Sequence, residues 1–203
     1  MLKKILLSII TVAAIGLTAS VLRTDHATAD PAPGVITFSD AQAFGEFRIF
    51  YAGDTVLDLD MTYVLMQPIS QEAEYWQAGD PTRNTVSFIY GDCPRADEGG
   101  CAPPLEVQNW PACVRNPSWY STQQYGPAPE SATIRTVPAA FFEEGTRVEI
   151  QTGISTVVIF GPSQSDVLAV ANALRAVNSS TPDQPGEPLP APAPGSFDGT
   201  LAC

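Results

Sequence analysis

The sequence predicts an α+β fold: a single domain, mostly antiparallel β-sheet, with one C-terminal helix packed on it. Three observations carry this. Short β-branched and aromatic runs, punctuated by glycine, proline and aspartate, recur between residues 47 and 160. Two of these runs, 147–151 and 155–160, flank Thr152-Gly153-Ile154, the spacing of a β-hairpin. One long stretch after Ser163 carries apolar residues at helical spacing, namely Val167, Val170, Ala171, Leu174 and Val177.

The elements follow in order. Residues 30–46 read as a linker and edge segment, with an edge strand over 35–38. Residues 47–51 form a strand ended by Ala52-Gly53-Asp54, and 61–66 form the next. A connection over 67–83 holds a helical turn at 70–76. Thr85 to Tyr90 is a strand in which Val86, Phe88 and Tyr90 alternate with Ser87 and Ile89, and 105–110 is another. Residues 116–130, rich in proline, serine, glutamine and aromatics, read as a long ordered loop. A strand over 133–137 is closed by Pro138, and 139–142 continues as an extended run. Arg147 to Gln151 alternates polar with apolar residues, so its hairpin should have one solvated face, whereas 155–160 is apolar nearly throughout and belongs nearer the sheet centre. Ser163 is the expected N-cap of the helix over 164–177, with Asp166 near its positive end. The domain thus spans 47–178. Residues 179–195 carry six prolines between Pro182 and Pro194, which favours an extended linker that forms no core. Residues 196–203 read as a strap returning to the domain.

The N-terminal 29 residues are a signal peptide or a membrane anchor. Lys3 and Lys4 precede eighteen uncharged residues, 5–22, which as a helix measure about 27 Å, and Ala27-Thr28-Ala29 is a cleavage candidate. Either way the lysines stay inside and the rest lies outside the cytoplasm, secreted or anchored by that helix. Four cysteines suit such a compartment. Of three connectivities, Cys93–Cys101 with Cys113–Cys203 is preferred: the first pair is local, closing an acidic loop for about 2–3 kcal/mol, and the second gives Cys203 a role. Gaps of eight and twelve residues with no histidine nearby argue against zinc.

Residue counts exclude much chemistry. After Ala29 there is no lysine and no histidine, and seven arginines face twenty-one acids, a net charge of −14. A nucleic acid partner is excluded by that balance. Ser-His-Asp, Cys-His and Ser-Lys centres cannot be assembled, and no phosphate-binding P-loop is present. Carboxylates remain. Asp54, Asp58 and Asp60 fall at even positions, so a strand would put them on one face, where they would suit calcium, the only cofactor suggested. Paired carboxylates could also hydrolyse a glycosidic bond. Trp110, Trp119, Tyr120 and Tyr125 are the candidate ligand-binding rings if they are exposed.

Phe47-x-x-Phe50-Tyr51-Ala52-Gly53, Tyr90-Gly-Asp-Cys93, Gly100-Cys-Ala-Pro-Pro-Leu105 and Trp110-Pro-Ala-Cys113 resemble a set of uncharacterised exported bacterial proteins over residues 47–160. The resemblance implies one extracytoplasmic domain and no particular activity. The reading that follows is a disulfide-stabilised binding or structural module of the cell envelope. It touches the membrane only through its N-terminal helix and meets a protein or envelope component through loops 92–101 and 116–128. The alternative is a carboxylate-dependent, calcium-requiring envelope hydrolase. An enzyme would need a cleft with convergent carboxylates, one with a raised pKa, whereas a binding module would show an exposed apolar patch.

Overall fold

The structure is a computed structural model that describes residues 34–69, 83–92, 102–117, 129–180 and 184–203, all within the unit spanning Pro31–Cys203. The N-terminal segment 1–29, the expected turn at 70–76, the Cys93–Cys101 loop and most of the 116–130 loop lie outside the described residues. Among the described residues no helix is long and apolar enough to cross a membrane.

The chain is mostly antiparallel sheet with one main helix. Its elements are β1 (Val35–Ile36), α1 (Phe38–Ala43), β2 (Phe50–Tyr51), β3 (Thr55–Val56), β4 (Leu59–Pro68), β5 (Asn84–Tyr90), β6 (Leu105–Pro111), β7 (Glu130–Ile134), β8 (Val137–Phe142), β9 (Arg147–Thr152), β10 (Ser155–Phe160), α2 (Gln164–Ala173) and β11 (Arg175–Ala176). Nine strands form one sheet in the order β1-β4-β5-β6-β10-β9-β8-β7, with β3 paired beside β4, and β2 with β11 forms a separate ribbon. The apolar strand β10 lies between β6 and β9, with Val157 opposite both Asn109 and Ile150.

One sheet face makes the core. Val86, Phe88 and Tyr90 of β5, Leu105 and Val107 of β6, Val157 and Ile159 of β10, and Val148 and Ile150 of β9 meet Val167, Val170, Ala171 and Leu174. Full burial of such a side chain contributes about 1.5–3 kcal/mol. Ser163 caps α2, its Oγ accepting from the Asp166 amide at 3.2 Å. The helix stops at Ala173, short of the expected 177. Leu174 turns extended, and Arg175 and Ala176 pair with Tyr51 and Phe50 instead. The ribbon is tied to the sheet by a polar side chain in the core. Asn109 accepts from the Phe50 amide at 2.7 Å and donates to the Phe50 carbonyl at 2.9 Å, so a buried amide stands in for a neighbouring strand.

Several expectations are corrected. Residues 38–43 are helical: Thr37 and Asp40 form a capping box, and Ala41 is buried in the core. Of the expected strand 47–51 only Phe50–Tyr51 pairs, because Asn178 holds the preceding stretch, bonding the Ile49 amide and the carbonyls of Phe44 and Phe47. The chain does not run straight through 133–137. Arg135 and Thr136 take left-handed φ of 47° and 72° and turn β7 into β8. Pro138 is then a strand residue beyond Ala139, where the β8–β9 pairing stops, so its missing N–H breaks no ladder bond. The face of β9 expected to be solvated is buried, including Glu149 and Gln151.

The proline-rich stretch also departs from the linker expectation. Its described part crosses one end of the sheet as a belt. Arg135 donates to the carbonyls of Leu174, Gln184 and Glu187. Leu189 enters the core at 4% exposure, and its amide reaches the Arg135 carbonyl. Pro190 and Ala191 accept from Gly153, and Ala193 donates back to the Gly153 carbonyl. The belt ends at a Cys113–Cys203 disulfide, with a Cα–Cα distance of 5.4 Å.

Candidate functional site

The three candidate calcium ligands lie on a reversal rather than one strand face. Leu57 and Asp58 adopt φ of 52° and 59° and form the two-residue turn between β3 and β4. Asp60 therefore comes back opposite Thr55, whose hydroxyl donates to its Oδ1 at 2.8 Å, while the Asp54 carbonyl accepts from the Met61 amide. Period-two alternation cannot hold across a turn. Among the described residues no three His, Cys, Asp or Glu side chains gather into a metal-holding group.

Trp110 is the candidate ring that lies among the described residues; Trp119, Tyr120 and Tyr125 lie outside them. It sits half-buried on β6, on the sheet face opposite the core. Its Nε1 donates to Gln108 Oε1 at 2.9 Å, and Gln108 Nε2 donates to Glu106 Oε1 at 2.9 Å. Beyond β6 a tight turn closes with the Val114 and Arg115 amides on the Pro111 carbonyl. That turn sends Arg115 back across the face, with its guanidinium carbon 5.0 Å from the Trp110 ring centre. Arg115 then grips Glu149 in a two-point pair, Nε to Oε2 at 2.9 Å and Nη2 to Oε1 at 2.5 Å. Arg147 approaches the same carboxylate at 3.6 Å, bonds Glu143 at 2.9 Å and lies 4.5 Å from the Phe142 ring.

The displaced ionisations have plain causes. Burial lowers the Arg147 pKa, helped by Arg115 and opposed by Glu143. Burial raises the Tyr90 phenol, whose oxygen accepts from the Ala52 amide at 2.8 Å. The Thr37 hydroxyl and amide lower the Asp40 carboxyl, and those of Thr200 lower Asp198. Neither change prepares an acid for proton donation.

A second feature lies at the belt end of the sheet. The disulfide, Glu46, Phe47, Arg83, Pro111, Ile154 and Leu201 line a hollow of about 80 Å³. Glu46 accepts from the Asn84 side chain at 2.6 Å, and Arg83 donates to the Cys203 carbonyl. Above the hollow stands the β9–β10 turn, with Ile154 44% exposed at its tip. The Ala112 amide holds the Ile154 carbonyl at 2.9 Å, while the belt holds Gly153. The loops expected to make contact together, 92–101 and 116–128, are rooted at opposite ends of β6, a seven-residue strand of about 20 Å.

Sequence reasoning singled out Trp110 and the Cys113–Cys203 pair but missed Arg115, Glu149 and Arg147. Glu149, alone as an acid within a strand beside the sheet centre, is the signal that a basic partner must cover it. Which arginine does so depends on the turn after β6. No protein-family model, curated protein or solved structure matches the chain.

Proposed function

We propose that the protein is an extracytoplasmic, disulfide-stabilised binding module for a protein or envelope component, and not a hydrolase. One observation carries the reading. Ile154 is a large apolar residue left 44% exposed on a turn whose main chain is braced from both sides, by Ala112 and by the belt residues 190–193. A residue whose main chain is already held in position loses less entropy on docking, which suits an interface anchor. The hydrolase reading draws no support from the described carboxyls, since those with displaced pKa, Asp40 and Asp198, are lowered rather than raised. Calcium has no gathered ligand set among the described residues.

Co-sedimentation of the purified chain with isolated cell envelope tests the proposal. Ile154→Asp should abolish association while the far-UV circular dichroism stays that of the folded parent; because Ile154 also lines the hollow, a modest fall in the thermal midpoint is expected. Unchanged binding of that variant would refute it. So would turnover of chromogenic glycosides that vanishes when a carboxylate is replaced.

A further inference from the structure

Six arginines lie among the described residues, and five of them meet protein acceptors. Arg48 donates to Ser179, Arg83 to the Cys203 carbonyl, Arg135 to three carbonyls, and Arg115 and Arg147 pair with Glu149. Arg175 differs. Its Nε is buried with no hydrogen-bond partner, and among the described residues nothing accepts from either Nη or pairs with the charge. Its Nη atoms are not among the buried unsatisfied atoms, so they reach the surface.

The guanidinium is nonetheless held in place. The pairing of Arg175 with Tyr51 sets its backbone, and its guanidinium carbon lies 5.6 Å from the Tyr51 ring centre. Gly53 lies close beside it. A Cβ there would fall 2.8 Å from Arg175 Nη2, and the glycine φ of +101° excludes most side chains anyway. Tyr51 is itself propped by Phe38 at 5.1 Å and Phe88 at 5.7 Å, and Tyr51 and Phe38 are only half-buried. Among the described residues no carboxylate pairs with this cation.

We propose that Arg175, Tyr51 and Gly53 form a binding site for a small monocarboxylate with a flat apolar body. The outward edge of a guanidinium matches the two oxygens of a carboxylate. The Tyr51 and Phe38 rings supply a shelf for the body of the ligand. A dianion such as phosphate is disfavoured, because one guanidinium balances one charge and the chain carries a net charge of −12. The site is separate from Ile154 and stands whether or not the envelope contact does.

The test uses the full chain labelled with ¹⁵N, following the Nε–H resonances of its arginines. Sodium benzoate, acetate and inorganic phosphate are titrated against sodium chloride at matched ionic strength. Benzoate should shift the Arg175 resonance saturably, with a Kd on the order of millimolar, as suits a small ligand on one charged anchor. Acetate should bind more weakly because it lacks the apolar body, and phosphate more weakly still. Benzoate binding, followed in the backbone amides around Tyr51 and Gly53, should fall by about tenfold in Arg175→Gln, the worth of one charge-assisted contact. Arg175→Lys should fall in between. Gly53→Ala should also weaken binding; if it misfolds, Arg175→Gln decides alone, because β11 pairs through its main chain. Equal shifts with chloride, undiminished benzoate binding in Arg175→Gln, or phosphate binding more tightly than benzoate would each overturn the proposal.

Discussion

Replacing Arg115 by methionine breaks the buried ion pair on the second sheet face. Glu149 has 1% side-chain exposure and Arg115 13%, so neither charge has much water to fall back on. Without Arg115 the carboxylate keeps only Arg147, at 3.6 Å. Removing one partner of a buried pair costs about 3–5 kcal/mol, and the residual Arg147 contact places this case near the lower end, at about 3. With a urea slope of about 2 kcal/mol/M for a chain of this size, the unfolding midpoint should drop by about 1.5 M. The double variant Arg115→Met/Glu149→Leu removes both charges, and Arg147 retains Glu143 at 2.9 Å. Its cost should stay under about 1 kcal/mol, since an apolar replacement avoids desolvating either ion. The two sites should therefore couple by about 2 kcal/mol or more. Urea unfolding followed by far-UV circular dichroism reads the four proteins of the cycle: the parent, Arg115→Met, Glu149→Leu and the double variant. A single-variant cost below about 1 kcal/mol, or a double variant as unstable as the two singles summed, would refute the argument that Glu149 depends on Arg115.

Three further outcomes are expected. Leu189→Ala should cost about 2–4 kcal/mol in chemical denaturation, as for any core leucine; a cost near zero would mean that the proline-rich belt contributes nothing to the core. Cys203→Ser opens a disulfide that spans 90 residues, which in the chain-entropy model corresponds to about 4–5 kcal/mol. The thermal midpoint should fall accordingly, and an unchanged midpoint would show that Arg135 and the Gly153 contacts hold the belt by themselves. Thr37→Ala removes the hydroxyl that lowers the Asp40 carboxyl below its ordinary 3.8. A carboxyl lowered by folding adds stability above its unfolded pKa and loses it as pH falls through the folded value. The advantage of the parent protein over Thr37→Ala should therefore be full near neutrality and shrink below pH 3.8. Stability curves of the two proteins that run parallel through that range would count against the capping box.

Much of the sheet was legible because its signals are local. The runs that became β4, β5, β6, β9 and β10 declare themselves by β-branched and aromatic composition. Gly153 and Ser163 mark a turn and a helix start by chemistry that needs no distant partner. Thr37 and Asp40 were an equally local helix signal, hidden because only six residues follow before the chain bends away. Where the readings failed, the deciding partner was remote. Leu57-Asp58 and Arg135-Thr136 turn without glycine, against local preference, because the strands on either side pair. The expectation that Asp54, Asp58 and Asp60 share one strand face failed at the first of these turns, since it rested on an uninterrupted strand.

By itself the sequence determined the compositional limits: no lysine or histidine after Ala29, a strong excess of acid, a mostly antiparallel sheet and one main helix against it. These are sums over residues or patterns within a few positions, and no fold can alter them. Only the tertiary structure decided that Arg115 reaches Glu149 across 34 residues, that Cys113 meets Cys203, and that Leu189 leaves a proline-rich segment to enter the core. The same holds for Arg175, set over Tyr51 by a two-residue ribbon and left without a protein acceptor among the described residues. Each depends on how the ends of strands are brought together, and strand ends are positioned by pairing over the whole sheet, which no local pattern encodes.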